Sequence, residues 1–384
     1  MLAILMVVSL TACGRESVGT PGGELENGVA AIEDAMTTKP NESSSASTTP
    51  IDDLRDGSST DTVATPDDFP DAYNYGSGKI SDYSRTAMLQ KMPEPAGNNT
   101  VLNTAADPAN IQVLYLWEEG NVPARTKFTQ DMTGYFDDWN FRPYVTAIPV
   151  RDGVKPKGAV VLMAGGAYQF RGNYTDSLPT AAALRELGFQ TFIVDYRLSP
   201  YTQEEGALDV ARAVRFVRKN AEVYGIDPDD IAVMGFSAGG HLAASALTLF
   251  EFSYARPDFG ILIYPVITMQ DGFSHGGSRD NLMGKDPSED LIRRFSTERH
   301  IVAATEHTPA TSPCFIALSS DDEVVPTRNS TMFYDSLCSK GVPAELHVYP
   351  TGRHGWIGDF VYWDEYHASL SRWLKQLREK AAAA

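Results

Sequence analysis

A serine held between two glycines is the first residue of this sequence whose type and spacing could do chemistry. Ser237 is the centre of Gly235-Phe236-Ser237-Ala238-Gly239, which fits the pattern G-x-S-x-G. An apolar run precedes it and a stretch rich in Ala and Leu follows it, which predicts a buried strand, a sharp turn and a helix. A side chain at either flanking glycine would collide with the neighbouring element. The pattern predicts a nucleophile at the edge of a sheet; a glycine-rich turn without a chemical role is the alternative.

A serine nucleophile needs a base to take its proton and a carboxylate to hold that base. In the fold that this motif indicates, the chain order is Ser, acid, His. Of the seven histidines, His354 lies in the glycine-flanked loop TGRHGW directly after the last apparent strand, and we predict that it is the base. Asp322, in the stretch SSDDEVVP, is the predicted acid. Asp321 stays open as the alternative acid, and a purely solvating or capping role for both is the other interpretation.

Backbone amides must also stabilise the oxyanion that forms when the serine attacks a carbonyl. The amide of Ala238, at the start of the helix after the serine, is one predicted donor. The second donor should lie in the loop after an early strand, where the sequence reads AGGAYQF. We predict that Gly166 and Ala167 form this part of the oxyanion hole; a glycine turn with no such role is the alternative.

Short apolar runs and helical periods alternate along the chain after about residue 107. The predicted strands are 159–164, 191–196, 231–236, 260–265, 314–319 and 344–349. The clearest helical stripe is Ala207, Val210, Ala211, Val214 and Val217, and 176–187, 327–340 and 364–380 are the other predicted helices. This alternation predicts an α/β fold, with a mostly parallel sheet covered by helices on both faces. Residues 107–384 are enough for one such domain.

The sequence before residue 107 is of a different kind. An apolar run of about ten residues ends in Leu10-Thr11-Ala12-Cys13; this resembles the lipobox of bacterial lipoproteins, which implies a signal over residues 1–13 and lipidation of Cys13. A soluble export signal is the alternative. Residues 14–71 are rich in Ser, Thr, Pro and acids, and we predict a disordered tether. Residues 72–106 are interpreted as a linker or as an arm on the domain.

Charge and cysteine content exclude some functions. The formal net charge is −18, of which −10 falls within the predicted tether, and such a chain is not expected to bind nucleic acid. Cys314 and Cys338 could pair in an exported protein or remain buried thiols, and both alternatives stay open. No cysteine or histidine spacing typical of a metal site occurs, and no metal or organic cofactor is expected.

Several stretches together resemble the bacterial carbohydrate acetyl esterases of the α/β hydrolase fold, often called xylan esterases. These stretches are AGGAYQFRG, VDYRLSP, GFSAGGHLAAS, LIYPVITM, HGGSRDNLMG, SSDDEVVP and the run from NSTMFYD to TGRHGW, in this order. The resemblance extends from about residue 111 to the end and implies Ser237 as nucleophile, Asp322 as acid and His354 as base. It departs where many lipases have His-Gly-Gly-Gly, because this chain has Ala-Gly-Gly-Ala.

The resemblance implies a serine carboxylesterase that removes acetyl groups from xylan or another plant polysaccharide or oligosaccharide. The similarity of residues 10–13 to a lipobox implies a location at the bacterial cell envelope, lipid-anchored or exported. A loop after the fourth predicted strand supplies His275, Arg279 and Asn281 as donors to sugar hydroxyls, while Tyr168 and Trp356 offer flat faces to a sugar ring. The alternative is that Arg279 and Asn281 only fix their loop. Rival functions are a feruloyl or general short-chain esterase, and an inactive hydrolase fold that binds sugar at a surface.

Overall fold

The computed structural model describes residues 73–79, 100–101, 110–120, 122–249, 255–306, 309–356 and 361–383. Its ten strands are β1 Tyr73–Lys79, β2 Thr100–Val101, β3 Asn110–Tyr115, β4 Tyr144–Ile148, β5 Gly158–Met163, β6 Phe189–Asp195, β7 Ile231–Phe236, β8 Phe259–Ile263, β9 Cys314–Ser319 and β10 Ala344–Tyr349. Its α-helices are α1 Leu178–Leu187, α2 Gln203–Lys219, α3 Ala221–Tyr224, α4 Ser237–Thr248, α5 Gly276–Met283, α6 Glu289–Phe295, α7 Arg328–Ser339 and α8 Trp363–Ala383. A π-helical turn, Asn173–Ser177, precedes α1, and a 3-10 turn, Thr297–His300, follows α6.

All of these strands form one sheet in the order β10-β9-β8-β7-β5-β6-β4-β3-β1-β2. The six strands β5 to β10 pair in parallel, and β1 to β4 extend the sheet beyond β6 with antiparallel pairing. The prediction of a mostly parallel sheet is confirmed, and each of the six predicted strands is present within two residues of its expected ends. The antiparallel half of the sheet was not predicted.

Helices cover both faces of the sheet because successive strand residues point to opposite sides. Val161 of β5 and Val233 of β7 pack on one side, against the apolar stripe that α2 was predicted to carry. Val160 of β5 packs on the other side, in the cluster to which α1 and α8 contribute Leu184 and Trp373. The side chains of β5 to β9 are almost fully buried, so the sheet is a rigid support for the loops that leave its edge.

The parallel strands bring distant segments of the chain together at one edge. Strands β5, β7, β8, β9 and β10 all point the same way, so the loops that follow them meet at their carboxyl ends. In open α/β sheets this edge is where ligands bind. The predicted oxyanion loop, Ser237, the acidic stretch and the histidine loop all follow strands of this set.

The structure describes only part of the N-terminal region for which predictions were made. The predicted signal, Cys13 and the acidic tether lie outside the described residues. Within 72–106, Tyr73–Lys79 forms a strand that pairs with β3, as an arm on the domain would. No helix in the described parts of the chain is long and apolar enough to cross a membrane. Cys314 and Cys338 are both free thiols in the structure, so they do not form the disulfide that the sequence left open.

Candidate active site

Ser237 stands in a strained turn between β7 and α4. Its φ is +51°, in the left-handed region that side chains rarely adopt. A Cβ at Gly235 would lie 2.1 Å from the carbonyl oxygen of Gly239, and one at Gly239 would lie 2.3 Å from that of Ala164. Both flanking glycines are therefore required by close backbone contacts, as the spacing predicted. The strain is maintained by a turn packed too tightly to relax.

His354 joins the serine to an acid from a third segment of the chain. Its Nε2 is 2.9 Å from the hydroxyl oxygen of Ser237, and its Nδ1 is 2.8 Å from Oδ2 of Asp322. Because a carboxylate only accepts, Nδ1 carries the proton and Nε2 is free to accept the serine proton. The ring of Tyr264 packs on the imidazole with centroids 4.8 Å apart. The three predicted residues are thus connected by two hydrogen bonds, with His354 between Ser237 and Asp322.

The two adjacent aspartates occupy different places. The side chain of Asp322 is almost completely buried, and its Oδ1 accepts from the amides of Val324 and Val325, each at 2.9 Å. Asp321 instead accepts from the hydroxyl of Thr351 at 2.6 Å and from the amide of Arg353 at 2.8 Å. The Thr351 hydroxyl is the main cause that lowers the pKa of Asp321. Asp322 therefore orients the imidazole, whereas Asp321 fixes the backbone of the loop that carries it.

The loop after β5 brings backbone amides to the same edge. Gly166, Ala167 and Tyr168 have φ values of +130°, +55° and +61° in succession. The amides of Gly165, Gln169 and Phe170 are bonded to Asp176 or to the carbonyl of Gly166. The amides of Gly166 and Ala167 donate to no backbone acceptor within the described part of the chain. The amide of Ala238 is in the first turn of α4, where helix amides lack an intrahelical acceptor.

Tyr168 anchors this loop to the helix behind the serine. Its hydroxyl donates to Nδ1 of His241 at 2.7 Å, and Nε2 of His241 donates to the carbonyl of Phe295 at 2.7 Å. The tyrosine is only 1 % exposed, so the prediction that it offers a face to a sugar ring is wrong. Its left-handed backbone turns the side chain inward instead of toward solvent. Sequence reasoning missed His241, which lies one helical turn after Ser237; burial lowers its pKa to about 4.

A small aromatic cavity has Phe236, Tyr264 and Trp356 in its wall. Trp356 is 5 % exposed and its Nε1 donates to the hydroxyl of Ser319 at 2.7 Å. The prediction that Trp356 presents a flat face to a sugar is therefore wrong, because the ring packs into the core behind the histidine loop. What the tryptophan contributes is part of the wall of a small cavity.

Asp176 is a second carboxyl group at the site, and no motif in the sequence selects it. Its Oδ2 accepts from the amide of Gly165 at 2.8 Å, and the side chain lines the aromatic cavity. Burial raises its pKa to about 6, against the opposing effects of the Gly165 amide and of His354. The Gly165 bond ties the start of the oxyanion loop to the turn before α1. The only signal in the sequence is its place eleven residues after the first glycine of that loop.

The predicted sugar-binding loop is largely the helix α5. His275 is its N-cap, and Nδ1 of the ring accepts from Ser278. The pKa of His275 is lowered mainly by burial and also by His354. A Cβ at Gly277 would lie 3.2 Å from a ring carbon of His275 and 3.9 Å from the Cβ of Ala167, so the ring lies near the predicted oxyanion loop. Asn281 donates to the carbonyl of Ala167 at 2.8 Å, and Arg279 forms an ion pair with Asp271 at 2.8 Å. For these two residues, the contacts favour the alternative that they fix the loop.

The arrangement has the parts needed for acyl transfer. It contains a hydroxyl held against an imidazole, a carboxylate on the far side of that imidazole, and unpaired amides beside the hydroxyl. No cluster of residues able to hold a metal ion occurs among the residues that the structure describes.

The sequence is similar to proteins named as esterases and to one named as a xylanase. Residues 149–252 match the family model described as BD-FAE. The chain is 36 % identical over 230 residues to an acetylxylan esterase of Xylanibacter ruminicola, covering 58 % of this chain and 46 % of the relative. It is 34 % identical over 235 residues to endo-1,4-beta-xylanase B of Butyrivibrio fibrisolvens, covering 58 % and 36 %. The chain thus spans less than half the length of these two relatives.

Solved structures with the same fold extend this similarity. An acetyl ester-xyloside bifunctional hydrolase from Caldicellulosiruptor lactoaceticus matches 69 % of this chain and 96 % of its own, with a TM-score of 0.59 and 31 % identity. An esterase from Thermogutta terrifontis matches 62 % and 90 %, with a TM-score of 0.51 and 22 % identity. At that lower identity the second likeness concerns the fold alone.

Proposed function

Since the chain belongs to the α/β hydrolase family of carboxylic ester hydrolases, we propose that it removes acetyl groups from xylan or a related plant polysaccharide. The observation that carries the proposal is the position of His354 between the hydroxyl of Ser237 and the carboxylate of Asp322. The names of the relatives support the acetylated xylan substrate.

In the proposed reaction, Ser237 attacks the ester carbonyl while Nε2 of His354 takes its proton. Asp322 holds the imidazole in the required tautomer and stabilises the imidazolium that forms. The carbonyl oxygen becomes an oxyanion, which the amides of Ala238 and of Gly166 or Ala167 stabilise. His354 then returns the proton to the leaving sugar oxygen, and an acetyl-serine remains.

In the second half of the proposed cycle, water takes the place of the sugar hydroxyl and hydrolyses the acetyl-serine. His354 deprotonates a water molecule, which attacks the acetyl-serine; the tetrahedral intermediate collapses, and the proton returns to Ser237 as acetate leaves. Apart from the ester and this water molecule, the steps use only side chains and amides of this chain.

The groups around the site have supporting roles in this proposal. Tyr168 holds the oxyanion loop through the hydrogen bond of its own hydroxyl to His241. Asn281 holds the same loop by donating to the carbonyl of Ala167. Arg279 fixes the start of α5 through Asp271. His275 accepts at Nδ1 from Ser278, so its neutral ring carries the proton on Nε2. We assign to this Nε2 a hydrogen bond to a hydroxyl of the sugar.

The proposed location is the bacterial cell envelope, through a lipid on Cys13. This proposal is supported by the sequence Leu10 to Cys13 and by the acidic stretch of residues 14–71, which would separate a membrane anchor from the enzyme domain. Bacterial lipidation is expected to add several acyl chains, which is what firm anchoring requires.

One assay tests the proposed activity against its rivals. The purified protein is incubated separately with acetylated xylo-oligosaccharides, feruloylated arabinoxylan and nitrophenyl acetate, and the released acids are identified. We expect rapid release of acetate from the oligosaccharides and much slower release of ferulate. Preferred release of ferulate would overturn the acetyl specificity, and hydrolysis of nitrophenyl acetate alone would overturn the carbohydrate substrate.

A further inference from the structure

Exposed aromatic rings are concentrated on loops near the oxyanion loop. Within the described ranges, the large aromatic side chains that are exposed are Tyr135, Phe136, Trp139, Phe170, Tyr174 and Phe273. Five of these six lie in two short stretches, 135–139 and 170–174. The second stretch begins two residues after Tyr168, the last residue of the loop with positive φ values. Exposed apolar side chains that are scattered singly need no explanation, but a concentrated group of them is typical of a binding surface.

A buried ion pair joins the two stretches. The guanidinium of Arg171 donates to both carboxylate oxygens of Asp137, at 2.5 and 2.8 Å, and to Oδ1 of Asp195 at 3.0 Å. Both side chains of the Arg171–Asp137 pair are less than a tenth exposed. Phe136 precedes Asp137 and Phe170 precedes Arg171, so this bidentate contact fixes the backbone beside each ring. The guanidinium carbon also lies 5.6 Å from the centre of the Phe136 ring.

Phe170 connects this surface to the nucleophile. Its amide donates to the carbonyl of Gly166 at 3.1 Å. A Cβ at Gly166 would lie 3.0 Å from a ring carbon of Phe170, and a Cβ at Gly165 would lie 2.9 Å from the Cβ of Ser237. The phenyl ring is therefore separated from the serine only by the width of the oxyanion loop.

The chemistry of the surface selects the kind of ligand. Arg171 forms ion pairs with two carboxylates, Asp137 and Asp195, so its positive charge is fully compensated and this buried cluster offers no attraction to an anionic ligand. Flat, exposed rings on a fixed backbone match the apolar face of a sugar ring and leave its hydroxyls in water. A hydrocarbon chain would gain more from an enclosed pocket, in which all of its surface leaves water.

We propose that Phe136 and Phe170 form an aromatic platform on which neutral sugar units of a polysaccharide main chain stack while the ester reaches Ser237. This assignment deepens the proposed function, and it depends on that function only for the link between binding at the platform and hydrolysis. The rigid backing by Arg171 and Asp137 reduces the conformational entropy that binding would cost.

Binding is tested apart from hydrolysis in the full chain with Ser237→Ala. The probe is unacetylated xylan, cast in a native gel, and the apparent dissociation constant is taken from the retardation of the protein. We expect retardation by xylan, and an increase of about five- to tenfold in the dissociation constant for Phe136→Ala or Phe170→Ala added to this background. Phe170→Trp should retain binding because it keeps a flat ring. Val348→Ala, at an exposed position on β10, is the control.

The kinetic test uses two acetyl esters that share the reacting group. For Phe170→Ala with Ser237 intact, kcat/KM for an acetylated xylo-oligosaccharide should fall about tenfold relative to kcat/KM for methyl acetate, which has no sugar and no aromatic ring. An equal fall for both esters would overturn the platform, because it would assign Phe170 to the shape of the oxyanion loop.

The remaining outcomes separate the platform from the proposed function. Retardation that Phe136→Ala and Phe170→Ala weaken, in a protein that hydrolyses no acetyl ester, supports the platform and overturns the proposed function. Release of acetate from xylo-oligosaccharides without any retardation by xylan overturns the platform alone. If light scattering shows that Phe136→Ala and Phe170→Ala convert an oligomer to monomers, the rings are a contact between copies of the chain, which also overturns the platform.

Discussion

His354 and Ser237 are 117 residues apart in the chain, yet their side chains meet at 2.9 Å. The contact exists because β7 and β10 run parallel in one sheet and end at the same edge. The serine is held there by a strained turn, and the histidine by the loop that Asp321 fixes. The sheet thus brings both reacting groups to one edge, and the short loops after β7 and β10 set the distance between their side chains.

The two neighbouring aspartates allow a matched test of the acid. Asp322→Asn should lower kcat by about four orders of magnitude, because an amide cannot hold the imidazole in the tautomer that accepts the serine proton. Asp321→Asn should lower kcat by less than about tenfold, since its contacts are with Thr351 and the amide of Arg353. Steady-state rates on nitrophenyl acetate measure both. Equal losses in the two variants would contradict the assignment of Asp322.

Tyr168→Phe tests the anchor of the oxyanion loop. The substitution leaves Nδ1 of His241 buried without a donor, which should destabilise the protein by about 1–3 kcal/mol. We also expect kcat to fall by about tenfold on every ester, because the amide of Ala167 loses its fixed position. Thermal unfolding and steady-state kinetics measure the two effects. Val348→Ala, at an exposed position on β10, is the control; a Tyr168→Phe protein as stable and active as that control would rule out the anchor.

Asp176→Asn should stabilise the protein in a pH-dependent way. Burial raises the pKa of Asp176 from 3.8 to about 6 in the folded state, so the wild type loses stability as the pH rises through that interval. The amide has no charge to desolvate and can still accept from Gly165. The variant should therefore exceed the wild type by up to about 3 kcal/mol above pH 7, with no difference below pH 4.

Chemical unfolding of both proteins at pH 4 and pH 7.5 gives the comparison. The variant is expected to be the more stable protein because the cost of burying the charged carboxylate of Asp176 is larger than its attraction to His354. A variant that is less stable than the wild type at pH 7.5 would show that the carboxylate is net favourable in its place.

The parallel half of the fold and the Ser–His–Asp series were accessible from the sequence because each carries a local signal. Strands buried on both faces are continuous apolar runs, and G-x-S-x-G is dictated by backbone contacts within five residues. Strands β3 and β4 carry no such local signal. Whether a short antiparallel stretch forms a strand depends on the neighbouring strands with which it pairs, and these are distant in the sequence. Tyr168 and Trp356 were misplaced because a motif does not show which way a side chain turns from a strained loop.

Cys13→Ser tests the proposed location. Without the thiol no lipid can be attached, so the protein should move from the membrane fraction to the soluble fraction of the cells that export it. Cys338→Ser, which changes a free thiol in α7, should leave the distribution unchanged. The amount of protein in each fraction is measured by immunoblotting. A wild type that is soluble after export would show that residues 10–13 are not a lipidation site.

The most direct test of the central claim is the turnover of acetylated xylo-oligosaccharides by Ser237→Ala, with folding checked by circular dichroism and thermal unfolding. The account predicts a folded protein whose kcat for acetate release is lower than that of the wild type by at least about three orders of magnitude, because the nucleophile is absent. A folded Ser237→Ala protein that releases acetate at a rate near that of the wild type would contradict the account.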